Sequence, residues 1–340
     1  MQQSNTPLGP AQDSRQEETL CYTPAMFGII AVDFGGTNIR AAYFSSSQPP
    51  PTSQNKTPTL ASEGPDAVIA RLIQAIDSQI PKDSSEFKIG IVAPGPLDPR
   101  NGVIISSPNL AGWTNIPLRD QLSEHFGVPV FLGNDANVAA LGEWRFGAGQ
   151  GTDNMIYLTI STGIGGGVIA DGRLLLGARG LAGELGHLTI VSNGPTCGCG
   201  IKGHIEAVAA GPAIARNAVS KLEAGQLSTL KETLSAQGEI TSVDIGEAAQ
   251  AGDELSISVI EEAGFHIGHH LANLAHTFNP EVFILGGGVS LLGDLLFEPI
   301  KRSLREHIMD PAYLDGVRVL PAALGDDAGL VGAMVLASQS

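Results

Sequence analysis

Apolar stretches separated by glycine-rich turns recur along the chain, and they predict strands and helices in alternation. Two short apolar runs, residues 27–33 and 39–44, flank a Gly-Gly pair, which is typical of a hairpin of two buried strands. From Asp66 onward apolar residues recur at helical spacing, and another apolar run at 88–93 predicts a strand. Residues 45–59, which include three consecutive prolines, are predicted to form a loop.

The same alternation continues through the chain and in part repeats itself. The further predicted elements are helices at 118–126, 136–146 and 253–278 and strands at 128–132, 155–160, 168–170 and 282–285. A glycine-rich turn, residues 161–167, joins two of these strands, so that a second strand-turn-strand unit resembles the first. The pattern predicts an α/β protein with an internally repeated topology.

Length and composition narrow the classes of protein that fit this pattern. A chain of 340 residues exceeds what one hydrophobic core usually serves, so two packed domains with a cleft between them are expected. The formal net charge of -16 argues against nucleic acid as a partner, because it would repel the phosphate backbone. No apolar run approaches the roughly 20 residues that span a bilayer, so no membrane segment is expected.

The first 26 residues are polar and are expected to be a loose tail rather than a signal peptide. Three cysteines are too few for a disulfide framework, which favours the reducing cytoplasm as the location.

Two turns carry the first candidate chemistry. The turns at 33–38 (Asp-Phe-Gly-Gly-Thr-Asn) and 161–167 (Ser-Thr-Gly-Ile-Gly-Gly-Gly) place backbone N–H groups and a Thr hydroxyl at the edge of a sheet, where phosphates bind. Neither turn is a Walker loop or a dinucleotide-binding fingerprint. A single turn of this kind would more often be an ordinary glycine hairpin. Two of them, with three glycines at 286–288 after another buried strand, indicate a nucleotide site.

These motifs resemble the ROK family of sugar kinases and sugar-responsive repressors over about residues 27–337. The resemblance implies an α/β, two-lobed actin-like ATPase (ribonuclease H-like) fold with an interlobe cleft, in which the motifs close around ATP and Mg²⁺. The ATP-binding residues it implies are Asp33, Gly35, Gly36, Thr37, Asn38, Thr162, Gly163, Gly286 and Gly287.

A carboxylate follows the predicted strand at 128–132, within the sequence Gly-Asn-Asp-Ala-Asn at 133–137. By resemblance, Asp135 is the catalytic base that orients the attacking hydroxyl and accepts its proton. The residues alone favour another interpretation, in which Asp135 is the N-cap of the helix that follows. The two roles are compatible.

The resemblance also implies a sugar-binding set, in which carboxylate and amide side chains pair with vicinal hydroxyl groups. Each of these residues alone would be an ordinary polar loop residue. The implied set is Asn109, Asn134, Asp135, Glu184, His187 and Glu206, with Gly95 adding a backbone contact.

A cluster of thiols and imidazoles at 187–206 is the clearest metal signal in the chain. Two cysteines separated by one glycine, Cys197 and Cys199, lie between His187 and His204, and such a set suits a structural tetrahedral zinc. The ROK pattern has a cysteine where this chain has His204, so the prediction is a Cys2His2 site, with an empty loop as the alternative. The zinc would hold His187 and Glu206 toward the sugar.

Three further histidines, at 266, 269 and 270, lie on the predicted long helix at spacings that could form a metal face. We predict instead that they are partly exposed helix residues.

The resemblance suggests lobe boundaries within the chain. The small lobe takes residues 27–134 together with a C-terminal helix at about 325–340, and the large lobe takes residues 135–324 with the zinc loop. A homodimer or homotetramer is expected, again by resemblance.

The expected activity is ATP-dependent phosphorylation of the 6-hydroxyl of glucose. Fructokinase, mannose kinase and N-acetyl-hexosamine kinase stay open, because the same hydroxyl-binding set serves them all, and polyphosphate or ADP stays open as the donor. A non-catalytic sugar sensor or a ROK repressor is the alternative of another class. A repressor would need an N-terminal DNA-binding domain of about 60 residues, whereas only 26 polar residues precede the first predicted strand.

Overall fold

The computed structural model describes residues 27–82, 86–107, 110 and 112–339, so the predicted tail lies outside the described residues. The strands are β1 Gly28–Phe34, β2 Asn38–Phe44, β3 Ser53–Pro58, β4 Phe87–Ala93, β5 Leu97–Asp98, β6 Val103–Ser106, β7 Thr114–Ile116, β8 Val130–Asn134, β9 Met155–Ile160, β10 Ile164–Ala170, β11 Arg173–Leu174, β12 Val282–Gly286 and β13 Arg318–Pro321. The helices are α1 Pro65–Asp77, α2 Leu118–Phe126, α3 Asp135–Phe146, α4 Ile205–Ala209, α5 Gly211–Glu223, α6 Leu230–Gln237, α7 Ser242–Gln250, α8 Glu254–Phe278, α9 Asp294–His307 and α10 Ala328–Ser338.

Two five-stranded sheets repeat one topology. The first sheet has the order β3-β2-β1-β4-β8 and the second the order β11-β10-β9-β12-β13. In each sheet the first three strands are antiparallel to their neighbours; the central strand then pairs in parallel with the fourth, and the fourth pairs in parallel with the fifth. The repetition predicted from the two strand-turn-strand units is therefore confirmed.

Helices α3 and α10 pack between the two sheets. They cross at glycine residues, which have no side chain to hold the two backbones apart. A Cβ atom at Gly142 would lie 2.9 Å from the carbonyl oxygen of Ala328, and one at Gly332 would lie 1.9 Å from that of Val138. Larger residues would force the helix backbones apart. Around this crossing, apolar side chains from both sheets form one buried cluster, which includes Ile29 of β1 and Tyr157 of β9.

Two expectations about the hairpins are wrong in detail. Residues 45–59 are not all loop, because β3 lies within them; its sequence is polar and four of its six residues are exposed, so it gives no apolar signal. The turn at 161–167 is shorter than predicted, since β10 begins at Ile164 and contains its three glycines. The strand predicted at 128–132 is β8, which begins and ends two residues later.

None of the helices in the described part of the chain combines the length and the apolar composition that crossing a membrane requires.

Candidate active site

The carboxyl ends of the parallel strands meet at one edge of each sheet, which is where ligands bind in open α/β folds. In the first sheet this edge carries the turn after β1, Gly95 after β4 and the start of α3 after β8. In the second sheet it carries the turn after β9 and the glycines after β12. A Cβ atom at Gly165 would lie 3.0 Å from the Cβ of Ala136, so the start of α3 packs directly on β10.

Asp135 is the first residue of α3, and Asn134 precedes it as the N-cap. The Asn134 side chain accepts a 2.8 Å hydrogen bond from the N–H of Asn137. Asp135 uses Oδ1 to accept a 2.8 Å bond from the N–H of Ala136. The interpretation of Asp135 as the cap is therefore wrong, because the neighbouring asparagine has that role. Within the described residues the second carboxylate oxygen of Asp135 has no hydrogen bond and is available to a ligand.

The surroundings of Asp135 raise its pKa above the ordinary value of 3.8. The side chain reaches solvent, yet the protein around it displaces much of its hydration, and this desolvation is the largest cause. The hydrogen bond from Ala136 opposes the shift, and the negative charge of Asp33 adds to it. The carboxylates of the first predicted phosphate turn and of the predicted base therefore lie within electrostatic reach of each other.

The first turn is held by an ion pair and by a neighbouring threonine. Arg40 donates to Oδ2 of Asp33 over 3.1 and 2.8 Å, and it also bonds to the carbonyl oxygen of Asp326. The hydroxyl of Thr59 donates to the carbonyl oxygen of Gly35 over 2.6 Å. A Cβ atom at Gly329, near the start of α10, would lie 3.3 Å from Oδ2 of Asp33. The turn is thus fixed against the N-terminus of α10, an electropositive place.

The second turn, Ser161 to Gly163, is held by a carboxylate from outside its sheet. Glu206 of α4 accepts a 3.1 Å bond from the N–H of Ile164. A Cβ atom at Gly163 would lie 2.5 Å from Oε2 of Glu206, so a side chain there would displace this carboxylate. The N–H of Gly211, at the start of α5, donates to the carbonyl oxygen of Ser161 over 2.8 Å.

The predicted sugar-binding residues for which the structure gives contacts come together at this edge. Desolvation raises the pKa of Glu184. The charge of His187 opposes this shift, and the charges of Asp135 and Glu206 add to it, so all three residues lie within electrostatic range of Glu184. A Cβ atom at Gly95 would lie 3.9 Å from the Cβ of Asn134. The remaining member of the predicted set, Asn109, lies outside the described residues.

The four predicted metal ligands form one cluster. Sγ of Cys197 lies 3.6 Å from Nδ1 of His187, Sγ of Cys199 lies 3.3 Å from Nδ1 of His204, and one ligand atom from each residue lies within 4.8 Å of all the others. Zinc–ligand bonds of about 2.0–2.3 Å in a tetrahedron separate ligand atoms by roughly 3.3–3.8 Å, so two thiols and two imidazoles here fit zinc. Cys197 also donates to Oε1 of Glu206 over 3.1 Å, which joins the cluster to the second turn.

The three histidines of α8 do not form a second cluster of this kind among the described residues. His266 and His269 are half-buried, but the prediction of exposure is wrong for His270, which is 1% exposed. Burial, with a smaller contribution from His269, lowers the pKa of His270 to about 4. The helical periodicity already places it with Ile267 and Leu271 on the apolar face.

A mostly apolar cavity of about 740 Å³ adjoins the second turn. Thr162 and Gly288 line it, whereas the predicted Gly163, Gly286 and Gly287 do not. Gly287 instead allows close packing, since a Cβ atom there would lie 2.4 Å from the carbonyl oxygen of Ile160. Most of the lining belongs to no recognised motif and comes from the start of α5, the segment before α7, α7 itself and the residues after β12. These residues include Glu239, Ile240, Thr241, Ser242, Val243, Gly246 and Glu247.

The fold and site together define an α/β sugar kinase of the actin-like ATPase class. The two predicted phosphate turns, the carboxylate at the start of α3 and the described members of the predicted sugar-binding set come together at these sheet edges. The ROK family model matches residues 29–340, and the chain belongs to this family. The fold class and the family resemblance inferred from the sequence are thus confirmed.

Known relatives cover most of the chain. A glucokinase of Halalkalibacterium halodurans is 37% identical over 315 residues, which cover 91% of this chain and 94% of the relative. A ROK hexokinase structure from Thermus thermophilus shares 38% identity with a TM-score of 0.77, covering 92% of this chain and 98% of that one. A ROK family glucokinase structure from Streptomyces griseus, in complex with glucose and AMPPNP, shares 36% identity with a TM-score of 0.75 and covers 92% and 100% of the two chains.

Proposed function

We propose that this chain is an ATP-dependent glucokinase, which transfers the terminal phosphoryl group of ATP to the 6-hydroxyl of glucose. The observation that carries the proposal is the position of Asp135, which has an uncommitted carboxylate oxygen and lies within electrostatic range of Asp33 in the first turn and of Glu184 in the predicted sugar-binding set. The similarity to a glucokinase, and to a glucokinase structure in complex with glucose and AMPPNP, supports glucose as the sugar and ATP as the donor.

In the proposed mechanism, Asp135 accepts a hydrogen bond from the 6-hydroxyl and orients it toward the terminal phosphorus of ATP. The hydroxyl oxygen forms a bond to phosphorus, the bond between that phosphorus and the bridging oxygen of ADP breaks, and the hydroxyl proton moves to Asp135. Because the transition state of phosphoryl transfer is loose, the proton leaves late and positioning provides most of the rate enhancement. The raised pKa makes Asp135 a better proton acceptor than an ordinary aspartate.

The two turns are the proposed phosphate sites. Their backbone N–H groups and the hydroxyls of Thr37 and Thr162 would bind phosphate oxygens. Asp33 and Asp135 are hard oxygen ligands whose negative charges repel each other, so the residues present fit a Mg²⁺ ion bound with ATP. When bound, this ion would offset the charge of the phosphates.

The 740 Å³ cavity is the proposed nucleoside site, because it is mostly apolar and adjoins the second turn. A site of this kind favours ATP over polyphosphate, which has no base to fill it.

The thiol-imidazole cluster is the proposed structural zinc site, in which His204 takes the place of the usual third cysteine. All four donors belong to the protein, so the ion would leave no open position for chemistry. Its effect would be indirect, since Cys197 contacts Glu206 and His187 belongs to both the cluster and the sugar set.

We further propose a homo-oligomer in the cytoplasm, with the lobes dividing near residue 134 and α10 belonging to the small lobe. Light scattering of the purified protein would give the number of subunits.

A coupled assay with ATP, Mg²⁺ and a panel of hexoses tests the proposed function. Glucose should give the highest kcat/KM, and Asp135→Asn should lower kcat by about 100- to 10,000-fold while glucose binding persists. Asp66→Asn is a matched control, because Asp66 is also an exposed aspartate in the first turn of a helix but lies on α1, outside the proposed site. Full activity of Asp135→Asn would refute the assignment of the base. A different preferred hexose would refute glucose as the substrate.

A further inference from the structure

One arginine lies at the junction of three cavities. Arg216 lines the 740 Å³ nucleoside cavity, a cavity of about 340 Å³ between the second turn and the zinc cluster, and a cavity of about 400 Å³ beside α8. The first two cavities share three lining residues, Thr162, Pro212 and Arg216. A nucleotide whose base occupied the large cavity and whose phosphates met the second turn would pass this junction.

Helix α5 positions Arg216 at the junction of the cavities. Helix α5 starts beside the second turn, where Gly211 donates to Ser161. Pro212 and Arg216 are four residues apart and therefore share one face of the helix. That face borders Thr162 in both cavities.

The guanidinium of Arg216 has no partner in the described part of the chain. It is exposed and makes no hydrogen bond or ion pair with any described residue. Glu262, the carboxylate in the cavity beside α8, is already bound by Lys221 at 3.2 Å and by Asn217 at 3.0 Å. A purely structural ion pair therefore does not account for Arg216.

The carboxylates around Arg216 also favour a role for its positive charge in binding phosphate. Among the described residues that line the three cavities, Arg216 is the only arginine or lysine, while Glu239 and Glu247 line the nucleoside cavity and Glu206 the one beside it. These carboxylates would repel the phosphates of ATP, as would the net charge of -16. A guanidinium presents a planar set of donors that matches phosphate oxygens.

We propose that Arg216 binds the phosphate chain of the nucleotide between the nucleoside cavity and the second turn. The inference rests on the proposed function, because it needs ATP in that cavity. It adds a phosphate-binding side chain that lies outside the glycine motifs.

Calorimetry with adenosine and with AMPPNP plus Mg²⁺ separates phosphate binding from base binding. Arg216→Ala should raise the Kd for AMPPNP by about 10- to 100-fold, the range for a charge-assisted hydrogen bond, and leave the Kd for adenosine unchanged. Arg216→Lys should recover part of the loss, because it keeps the charge without the planar donor set. Arg305→Ala is the matched control, since Arg305 is an exposed arginine of helix α9 outside the three cavities.

An unchanged Kd for AMPPNP in Arg216→Ala, or an equal weakening of adenosine and AMPPNP binding, would overturn the inference. A wild-type protein that phosphorylates glucose with ATP in the same preparation would leave the proposed function standing in either case. A wild-type protein that binds no nucleotide would overturn both.

Discussion

The two hairpins of the chain have the same topology and nearly the same register, but one pair of positions differs in charge. In the first hairpin Asp33 of β1 is paired with Arg40 of β2, and the following pair is Phe34 with Ile39. In the second hairpin the pair at the corresponding place is Thr159 with Gly165. A charged pair therefore occupies the place that a neutral, small pair occupies in the second half.

This difference shows how one topology serves two tasks. The first hairpin supplies a carboxylate, and Arg40 holds it against the start of α10. The second hairpin has no side chains at Gly165 and Gly167, so α3, which carries Asp135, can pack directly on β10. The first hairpin thus provides a charged group, and the second allows a helix to pack closely on its strand.

Within this comparison, the largest expected effect comes from removing the charge of the first hairpin. Asp33→Asn should lower kcat/KM for ATP by about 100-fold, because it removes a proposed ligand of the Mg²⁺ ion bound with ATP. Thr159→Val, at the matching position, should change it by less than about threefold. Steady-state kinetics compare the two variants, and equal losses would contradict the division of tasks.

Among the described residues, the proposed zinc site has no counterpart in the first half, and removing one ligand should empty it. Elemental analysis should find about one zinc per chain in the wild type, and His204→Ala should lose most of it. His204→Cys should retain zinc, since a thiolate replaces the imidazole. A wild type without zinc, or an Ala variant with full zinc, would refute the proposed ligand set.

Because α3 packs closely on the second hairpin, adding one methyl group between them should lower the stability of the protein. A Cβ atom at Gly167 would lie 2.6 Å from the Cβ of Ala140 and 2.9 Å from the carbonyl oxygen of Ala136. Gly167→Ala should lower the free energy of unfolding by about 1–3 kcal/mol and also lower kcat, because α3 carries Asp135.

Ala42 holds the corresponding register position in the first hairpin and provides the control. Ala42→Gly should cost about 1 kcal/mol in urea unfolding without the loss of kcat. Undiminished stability of Gly167→Ala would show that the helix is not in tight contact.

The smallest expected effect concerns the helices that lead into β4 and β12. Helix α1 has Gly64 as its N-cap, with no side-chain hydrogen bond, whereas Asp253 caps α8 and accepts bonds from Ser256 and Thr229. Desolvation would raise the pKa of Asp253, but the hydrogen bonds together outweigh it and lower the pKa to about 2. Asp253→Ala should cost about 1 kcal/mol at neutral pH.

Because the folded pKa is below the ordinary value of 3.8, the stabilisation by Asp253 is complete above that value and is lost as the pH falls through about 2. Urea unfolding at several pH values should therefore show the wild type and Asp253→Ala converging in acid. Glu254→Gln, next along the helix, should change stability by less than about 0.5 kcal/mol. A constant difference between wild type and Asp253→Ala at every pH would contradict this account.

The buried strands and their turns could be predicted from the sequence because apolar runs and glycine pairs are local signals. Edge strand β3 could not, since its polar residues look like a loop. The sequence alone favours Asp135 as the N-cap of α3, one residue after the true cap Asn134, because asparagine and aspartate are both good caps and occur side by side.

The site was predictable only as far as its motifs extend. Asp135 and the metal cluster belong to recognisable patterns, whereas Ile240 and Glu247 of the nucleoside cavity belong to none. They reach the cavity through the packing of α7 against α5 and α8, which depends on contacts far apart in sequence. The capping box of Thr241 and Asp244 marks the start of α7 but does not reveal what it faces.

The most direct test is a crystal structure of the protein with glucose and AMPPNP. We predict that a carboxylate oxygen of Asp135 lies within about 2.6–3.2 Å of the 6-hydroxyl, and that the terminal phosphate lies between the two turns. A glucose molecule bound with its 6-hydroxyl away from Asp135, or phosphates bound away from both turns, would contradict the account.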